Sequence, residues 1–134
     1  MTAIDTNILV YAFDNAEPSK RKICSELLHK IFEGKQTAVV TTQILAEFAS
    51  AVTKKIEKPI SKDDAKAIIG AILSSKNWKV INYKGSTILH ALESKQPFWD
   101  SLIAQTLKEH NIQELITENV SDFKNSGIKP VTPF

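Results

Sequence analysis

Residues 2–13, TAIDTNILVYAF, place three polar residues directly after a very short apolar segment. Residues 2–4 have the apolar character of a buried strand, and a second apolar segment begins after Asp5, Thr6 and Asn7. This order is typical of a buried strand that enters a helical turn. The sequence therefore predicts that Asp5 lies at the carboxyl end of a first β-strand.

Helix and strand patterns alternate along the rest of the chain. The clearest helix covers residues 18–33, with Pro18 in its first turn and Gly34 as its stop. Four further helices are predicted. The first begins at about residue 44 and is ended by Pro59, the second follows a cap at Ser61, the third covers residues 86–95, and the fourth begins after Pro97. Strands are predicted at 38–40, 78–81, 115–117 and, as an edge strand, 129–132. This alternation predicts an α/β fold, a three-layer sandwich with a central, mainly parallel sheet flanked by helices.

The composition is that of an ordinary globular domain. The 134 residues are 43% hydrophobic and 24% charged, so one domain over residues 1–134 is expected. No apolar run is long enough for a membrane span, and the N-terminus lacks the pattern of a signal peptide, so we expect a cytoplasmic protein. The lone cysteine, Cys24, falls on the apolar side of a predicted helix, which predicts a small core residue.

The charges give little indication of a partner. There are 17 basic and 15 acidic residues, for a formal net charge of +2. The basic residues form two clusters, one at residues 20–22 and one at residues 54–62. Such runs are more often solvated helix faces than nucleic-acid contacts. The following side chains are therefore only weak candidates for binding a polyanion: Lys20, Arg21, Lys54 and Lys55.

Several acids fall where ligands bind in open parallel sheets, at the carboxyl ends of the strands. Asp5 follows the first predicted strand, and Asn119 and Asp122 follow the fourth. Asp100 lies in the first turn of its helix, where backbone N–H groups favour a negative charge. Glu47 lies on the flank of the apolar stripe of its helix. These side chains can therefore face one cleft while their helices pack on the sheet.

Two interpretations of these acids stay open. Asp5 and Asp100 also suit helix caps, and Glu47 also suits a solvated surface. Four acids in one pocket would repel by about 1 kcal/mol per pair at 4 Å even in water, so a shared pocket requires cations. Oxygen ligands alone favour Mg²⁺ or Mn²⁺ over zinc. The three histidines lie on separate predicted helices without the spacing of metal ligands: His29, His90 and His110.

The sequence resembles the PIN-domain family, particularly the VapC-type toxins of prokaryotic toxin–antitoxin pairs. The resemblance spans nearly the whole chain and is carried by IDTNILVY at 4–11, AEF at 46–48, FWDSLIA at 98–104 and LITENVSDF at 115–123. It implies a PIN-like fold in which acids gather at one end of a parallel sheet. In that family the acids bind one or two Mg²⁺ or Mn²⁺ ions and hydrolyse RNA phosphodiesters.

The resemblance also assigns roles to individual acids. Asp5 and Asp100 match the principal metal ligands, and Glu47 matches an acid that coordinates metal or positions the attacking water. The usual place of a fourth acid is held by Asn119, so that Asp122 is the alternative for this role. A neutral oxygen at this place is expected to weaken the hold on a second divalent ion.

Polar neighbours of these acids are expected to orient them or to bind water: Thr6, Asn7, Ser101, Thr117 and Asn119. Thr6, Asn7 and Ser101 also suit helix caps, and for Thr6 and Ser101 we favour the cap.

Partners are likewise implied by the resemblance. VapC-type toxins imply a homodimer and a small cognate antitoxin of the VapB kind, whose C-terminal segment covers the site. A dimer surface or a core contact is expected from one apolar helix face: Ile68, Ile69, Ile72 and Leu73. As substrates, tRNA, ribosomal RNA and mRNA all stay open.

Two other classes of function share some of these sequence features. A haloacid-dehalogenase-type phosphatase also has an acid and then Thr after its first strand, but its D-x-D motif would require an acid at Asn7. A non-catalytic PIN-like RNA-binding or interaction module would keep the fold and never cut RNA. The resemblance to PIN domains implies a metal-dependent endoribonuclease, and the acidic residues fit this interpretation.

Overall fold

The computed structural model describes residues 1–134 and contains one sheet of five strands in the order β3-β2-β1-β4-β5. The strands are β1 (Thr2–Ile4), β2 (Ala38–Thr41), β3 (Trp78–Ile81), β4 (Glu114–Ile116) and β5 (Lys129–Val131). All neighbouring strands are parallel, so their carboxyl ends meet at one edge of the sheet. The predicted α/β fold with a parallel sheet is confirmed.

Six helices connect these strands: α1 (Thr6–Tyr11), α2 (Pro18–Phe32), α3 (Thr42–Lys54), α4 (Lys62–Ser74), α5 (Gly85–Leu92) and α6 (Phe98–Glu109). A 3-10 turn covers Val120–Phe123 between β4 and β5. Parallel strands require crossover connections. Helices α1 and α2 connect β1 to β2, α3 and α4 connect β2 to β3, and α5 and α6 connect β3 to β4. None of the helices combines the length and the apolar character that a bilayer span needs.

The end of α3 differs from the prediction that Pro59 ends this helix. The helix ends at Lys54, and the Ile60 N–H then donates to the Val52 carbonyl oxygen at 2.9 Å. Ile56, which is 8% exposed, packs into the core from outside the helix. The chain therefore leaves α3 before Pro59, and the hydrogen bond between Ile60 and Val52 takes the place of further helical turns.

The hydrophobic core lies on both faces of the central strands. All four residues of β2 are buried, and 27 buried apolar residues form one cluster. Cys24 belongs to it, as predicted, and burial raises the pKa of its thiol to about 11. On α4, Ile72 is fully buried while Leu73 is 60% exposed. Most of the apolar face of α4 is therefore core, and Leu73 is left on the surface.

Candidate active site

A cavity of about 390 Å³ opens at the carboxyl edge of the sheet, where β1 and β4 end. Its walls come from α1, α3, α6 and the segment after β4. The predicted site residues that line it are Asp5, Thr6, Asn7, Glu47, Lys55, Asp100 and Asn119. Acids from three distant parts of the chain therefore share one cavity.

Asp5 is held rigidly between β1 and α1. Its backbone N–H donates to the Ile116 carbonyl oxygen at 2.9 Å, which continues the pairing of β1 with β4. As the N-cap of α1, its Oδ1 accepts from the Thr6 N–H at 2.8 Å, and its Oδ2 accepts from the Thr117 hydroxyl at 2.7 Å. Only 5% of the residue is exposed.

The electrostatics of Asp5 oppose its ionisation. Burial raises the pKa of its carboxyl above the ordinary value, the hydrogen bonds from Thr117 and Thr6 lower it, and the negative charge of Asp122 raises it. Burial outweighs the hydrogen bonds, because the charged form loses more hydration than two donors replace. A nearby cation would therefore favour the ionised form of Asp5.

Thr117 connects Asp5 to the loop after β4. It is fully buried, and its hydroxyl also accepts from the Asn119 N–H at 3.0 Å and from Asn7 Nδ2 at 3.4 Å. The Asn7 side chain in turn accepts from the Glu118 N–H at 3.3 Å. These bonds fix α1, Asp5 and the loop with Asn119 relative to one another.

Glu47 reaches the cavity from the middle of α3. Its Oε1 accepts from the Thr6 hydroxyl at 3.2 Å and from Gln43 Nε2 at 3.4 Å. Burial raises the pKa of its carboxyl, and the charges of Asp5 and Asp100 raise it further. A raised pKa suits a group that exchanges protons near neutral pH.

Asp100 lies in the first turn of α6, and its side chain makes no hydrogen bond within the protein. Burial raises the pKa of its carboxyl, followed by the repulsion of Asp122 and Asp5. Its oxygens are therefore free to bind a ligand.

The preferred cap interpretation of Thr6 and Ser101 is wrong. The cap of α1 is Asp5 itself, and Thr6 is the first residue of the helix, with its hydroxyl donating to Glu47. Ser101 is inside the first turns of α6, and its hydroxyl donates to the Gln96 carbonyl oxygen at 3.3 Å. The Ser101 hydroxyl therefore supports the start of α6 and forms no hydrogen bond with an acid of the site.

Asn119 and Asp122 take different places near the fourth position. Asn119 lines the cavity, whereas Asp122 lies in the 3-10 turn and does not. Asp122 is close enough to raise the pKa of both Asp5 and Asp100 by repulsion. The cavity wall therefore carries a neutral amide, with a further negative charge close by.

The weakly predicted basic residues separate into different surroundings. Lys55 lines the cavity, and Lys54 lines a groove between α3 and α4 instead. Arg21 lies in a polar depression beside the start of α2. Lys20 forms a salt bridge with Glu118, which also accepts from the Tyr11 hydroxyl. Of the four residues, Lys55 alone lines the cavity.

Sequence reasoning missed three further residues of this region. Tyr11 and Asp14 line the cavity, and Gln43 joins α3 to α6 because its Nε2 donates both to Glu47 and to the Trp99 carbonyl oxygen at 3.1 Å. Gln43 precedes Glu47 by four residues, and this helical spacing was the signal that would have identified it. For Tyr11 and Asp14 the pattern after β1 gave no such signal.

The donor set of the cavity fits a hard divalent cation. Apart from Lys55, every polar side chain that lines the cavity carries an oxygen atom, and burial with mutual repulsion makes positive charge favourable at Asp5 and Asp100. No three Asp, Glu, His or Cys side chains are close enough to form a complete ligand group by themselves. Mg²⁺ retains several waters and is usually held by one or two carboxylates, so a pair of direct ligands suffices.

Comparison with known proteins gives one family and several similar folds. The family model for the PIN domain matches residues 2–126. Mycobacterium tuberculosis VapC20, a sarcin-ricin loop cleaving toxin, is 14% identical with a TM-score of 0.68 over 96% of each chain. Rickettsia felis VapBC2, bound to a promoter DNA fragment, is 20% identical with a TM-score of 0.64 over 98% of this chain and 97% of that chain. The FitAB complex bound to an IR36 DNA fragment is 14% identical with a TM-score of 0.74 over 99% and 95%. A search of curated protein sequences finds no match.

Proposed function

The chain belongs to the PIN-domain family, and on that premise we propose that it is an endoribonuclease that requires Mg²⁺ or Mn²⁺ and is the toxin of a toxin–antitoxin pair. One observation carries the proposal: Asp5, Glu47 and Asp100 line one cavity, and the pKa of each is raised by burial and by the charges of its neighbours. Clustering of ionised carboxylates raises the free energy of the folded protein through their repulsion, and a divalent cation bound among them lowers it again.

In this proposal Asp5 and Asp100 hold the ion and Asn119 adds a neutral oxygen. A divalent cation, when bound, lowers the pKa of water and neutralises charge that develops on the scissile phosphate. The rigid hydrogen bonds from Thr6 and Thr117 fix the direction of the Asp5 carboxylate. Asp100, which no hydrogen bond restrains, can adjust to the ion.

Glu47 is the proposed general base. Its Oε1 is held by Thr6 and Gln43, while its Oε2 makes no hydrogen bond within the protein and can take the proton of the attacking water. The raised pKa of Glu47 makes its carboxylate a stronger base than an ordinary glutamate. Attack by water yields a 5′ phosphate and a 3′ hydroxyl. A 2′,3′-cyclic phosphate product would contradict this scheme, because it requires attack by the RNA's own 2′ hydroxyl.

The proposed substrate is single-stranded RNA, including loops of structured RNA. The cavity lies among three helices, where a splayed strand fits better than a duplex. Lys55 in the cavity wall would contact the phosphate backbone without reading bases. Because VapC20 is described as a sarcin-ricin loop cleaving toxin, an isolated ribosomal RNA loop is a reasonable first substrate beside tRNA and mRNA.

A VapB-like antitoxin and a homodimer are also part of the proposal. Two similar structures, VapBC2 and FitAB, are bound to DNA fragments, which supports a partner that connects this chain to DNA. Exposed leucines are available for self-association, with Leu89 at 64%, Leu92 at 65% and Leu73 at 60% exposed. Light scattering of the purified protein, alone and with a co-expressed upstream reading frame, tests both partners.

The decisive experiment incubates the purified protein with a pool of structured RNAs in Mn²⁺, Mg²⁺ or EDTA. Asp5→Asn and Asp100→Asn are expected to abolish cleavage, and Asp63→Asn, at an exposed acid in the first turn of α4, serves as the control. Cleavage that survives both site variants, or EDTA, would overturn the proposal. RNA binding without any cleavage by the unaltered protein would instead favour a non-catalytic PIN-like module.

A haloacid-dehalogenase-type phosphatase gains no support from the site. The residue that would have to be its second acid is Asn7, whose amide is already bonded to Thr117 and to the Glu118 N–H.

A further inference from the structure

A second cleft, of about 610 Å³, lies beside the candidate active site on the β3 side of the sheet. Glu47 lines both the cavity and this cleft. The rest of the cleft comes from four further residues of α3, from the two residues directly after β3 and from the start of α6: Thr42, Gln43, Ala46, Ser50, Asn82, Tyr83 and Trp99. We refer to it below as the Trp99 cleft. Whatever occupies it is a direct neighbour of a group bound at Glu47.

Trp99 presents a large aromatic surface to this cleft. It is the second residue of α6, next to Asp100, and 61% of it is exposed. Its ring packs edge-to-face against Phe98 with centroids 5.1 Å apart, and its carbonyl oxygen accepts from Gln43 Nε2 at 3.1 Å. The tryptophan is therefore anchored at the backbone and on one neighbour, while most of the indole remains available to a ligand.

The polar groups of the Trp99 cleft suit a hydrogen-bonding edge and not a phosphate. Asn82 Oδ1 accepts from the Thr42 hydroxyl at 2.5 Å and from the Tyr83 N–H at 2.9 Å, which leaves its Nδ2 without a protein partner. The hydroxyls of Ser50 and Tyr83 make no hydrogen bonds within the protein either. No lysine or arginine lines the cleft, so nothing there compensates the charge of a phosphate.

The arrangement of the two sites divides the chemistry of a nucleotide between them. The cavity carries the acids and Lys55, which suit a cation and a phosphate, and the Trp99 cleft carries an aromatic face with neutral donors and acceptors. Proteins bind unpaired bases by stacking them on aromatic side chains and by hydrogen-bonding their edges.

We propose that the Trp99 cleft binds the base of the nucleotide adjoining the scissile phosphate. In this arrangement the base stacks on Trp99, and Asn82 and Ser50 discriminate among the four bases by their hydrogen bonds. The inference rests on the proposed function, since the phosphate of that nucleotide must lie at Glu47. It makes Trp99 a determinant of cleavage specificity.

A binding experiment tests this without catalysis. The chain has a second tryptophan, Trp78, which is buried and 5% exposed. Trp78→Phe removes its emission, so that Trp99 is the sole indole reporter. Asp5→Asn is added to prevent cleavage. This double variant is titrated with ten-nucleotide homopolymers of A, C, G and U and with an abasic ribose-phosphate oligomer of the same length. We expect at least one base-bearing strand to quench the Trp99 emission and the abasic strand to leave it unchanged.

Affinity and cleavage of the four homopolymers give the second readout. Trp99→Ala is expected to weaken binding of the preferred strand about 5- to 150-fold, Trp99→Phe to retain most of it, and Asn82→Ala to change the order of preference. Equal affinity and preference in Trp99→Ala and the unaltered protein would overturn the proposal. If the unaltered protein still cleaves RNA in that case, the nuclease assignment survives alone.

The converse results are equally distinct. Quenching that depends on the base, in a protein that never cleaves RNA, supports base binding in the cleft and refutes the nuclease assignment. If this surface binds a second chain, Trp99→Ala lowers affinity through oligomerisation, so the mass of the variant is measured by light scattering. A change from dimer to monomer that accounts for the lost affinity would overturn the proposal that the Trp99 cleft binds a base. Circular dichroism checks that the variant is folded.

Discussion

Replacing Thr117 by valine is the most direct test of how the buried Asp5 carboxylate is stabilised. Valine has nearly the shape of threonine but no hydroxyl. In the fully buried Thr117, that hydroxyl donates to Asp5 Oδ2 at 2.7 Å and accepts from the Asn119 N–H at 3.0 Å. The substitution therefore removes a donor from an acid that burial already disfavours, and leaves a backbone N–H without its partner.

The magnitude follows from these two bonds, because the third one, from Asn7 Nδ2, is long at 3.4 Å and contributes little. A hydrogen bond to a charged group contributes about 1.5–3 kcal/mol and a neutral one about 0.5–1.5 kcal/mol. Thr117→Val should therefore lower the free energy of unfolding by about 2–4.5 kcal/mol where Asp5 is ionised, and by less where Asp5 is protonated and both bonds are neutral. Thr117→Ser keeps the hydroxyl and loses one buried methyl group, so its cost of about 0.8 kcal/mol should not depend on pH.

The sign of the pH dependence is fixed by the direction of the shift. The folded-state pKa of Asp5 is raised above its unfolded value, so the stability gained from its protonation is complete below the unfolded pKa and is lost as pH rises through the folded one. Without the Thr117 hydroxyl the folded pKa rises further and the total loss is larger. The stability gap between the valine and serine variants should therefore widen from acid to neutral pH.

Urea unfolding of both variants, without divalent ions and at a series of pH values from about 4 to 8, measures this gap. In cleavage assays the acid limb of the pH–rate profile of Thr117→Val should also move to higher pH. A gap that is the same at every pH would refute the reasoning, because it would show that the hydroxyl does not discriminate between the two protonation states of Asp5.

Three further outcomes are expected. Asp100→Asn should stabilise the metal-free protein at neutral pH by about 1 kcal/mol, since it relieves repulsion among the acids, and Mn²⁺ should no longer stabilise the variant. Scanning calorimetry with and without Mn²⁺ measures both effects, and a variant that is less stable and is still stabilised by Mn²⁺ would contradict the prediction. Thr6→Val should lower the single-turnover cleavage rate about tenfold with little change in RNA affinity, because the Glu47 carboxylate loses the hydrogen bond from the Thr6 hydroxyl. An unchanged rate would count against Glu47 as the base. Lys55→Ala should weaken RNA binding and reduce the slope of log affinity against log salt by about one, whereas Lys54→Ala, in the α3–α4 groove, should leave the slope unchanged.

The element pattern was predictable because local signals specify it. Pro18 begins α2, and Gly34 follows its end with a φ of 80°, a conformation that glycine adopts without strain. The five strands are short apolar segments between helical repeats, and their alternation fixes a parallel α/β arrangement. Local patterns also placed Asp5 and Asp100 correctly in their elements, after β1 and in the first turn of α6.

Other features depend on contacts between distant residues, which no local pattern encodes. The helix cap and the acidic cavity are alternatives for Asp5 in the sequence, yet in the structure its Oδ1 caps α1, its Oδ2 accepts from Thr117, and the residue also lines the cavity. Helical periodicity placed Glu47 on the flank of α3 but could not reveal that Gln43 bonds to the start of α6. The exposure of Trp99 was equally hidden, because the four residues that follow Asp100 in the same motif, Ser101 to Ala104, are buried.

The location of the acids explains how the fold tolerates them and why it does not neutralise them. Asp100 lies in the first turn of α6, where the helix dipole favours a negative charge by about 0.3–1 kcal/mol. Repulsion between desolvated carboxylates exceeds about 1 kcal/mol for each close pair, and Asp100 experiences it from both Asp5 and Asp122. The helix and the hydrogen bonds therefore compensate only part of the cost, which is why the pKa values of Asp5, Glu47 and Asp100 stay raised. The remaining unfavourable free energy is what a bound cation would relieve, so affinity for the cation and instability of the metal-free site have the same physical origin.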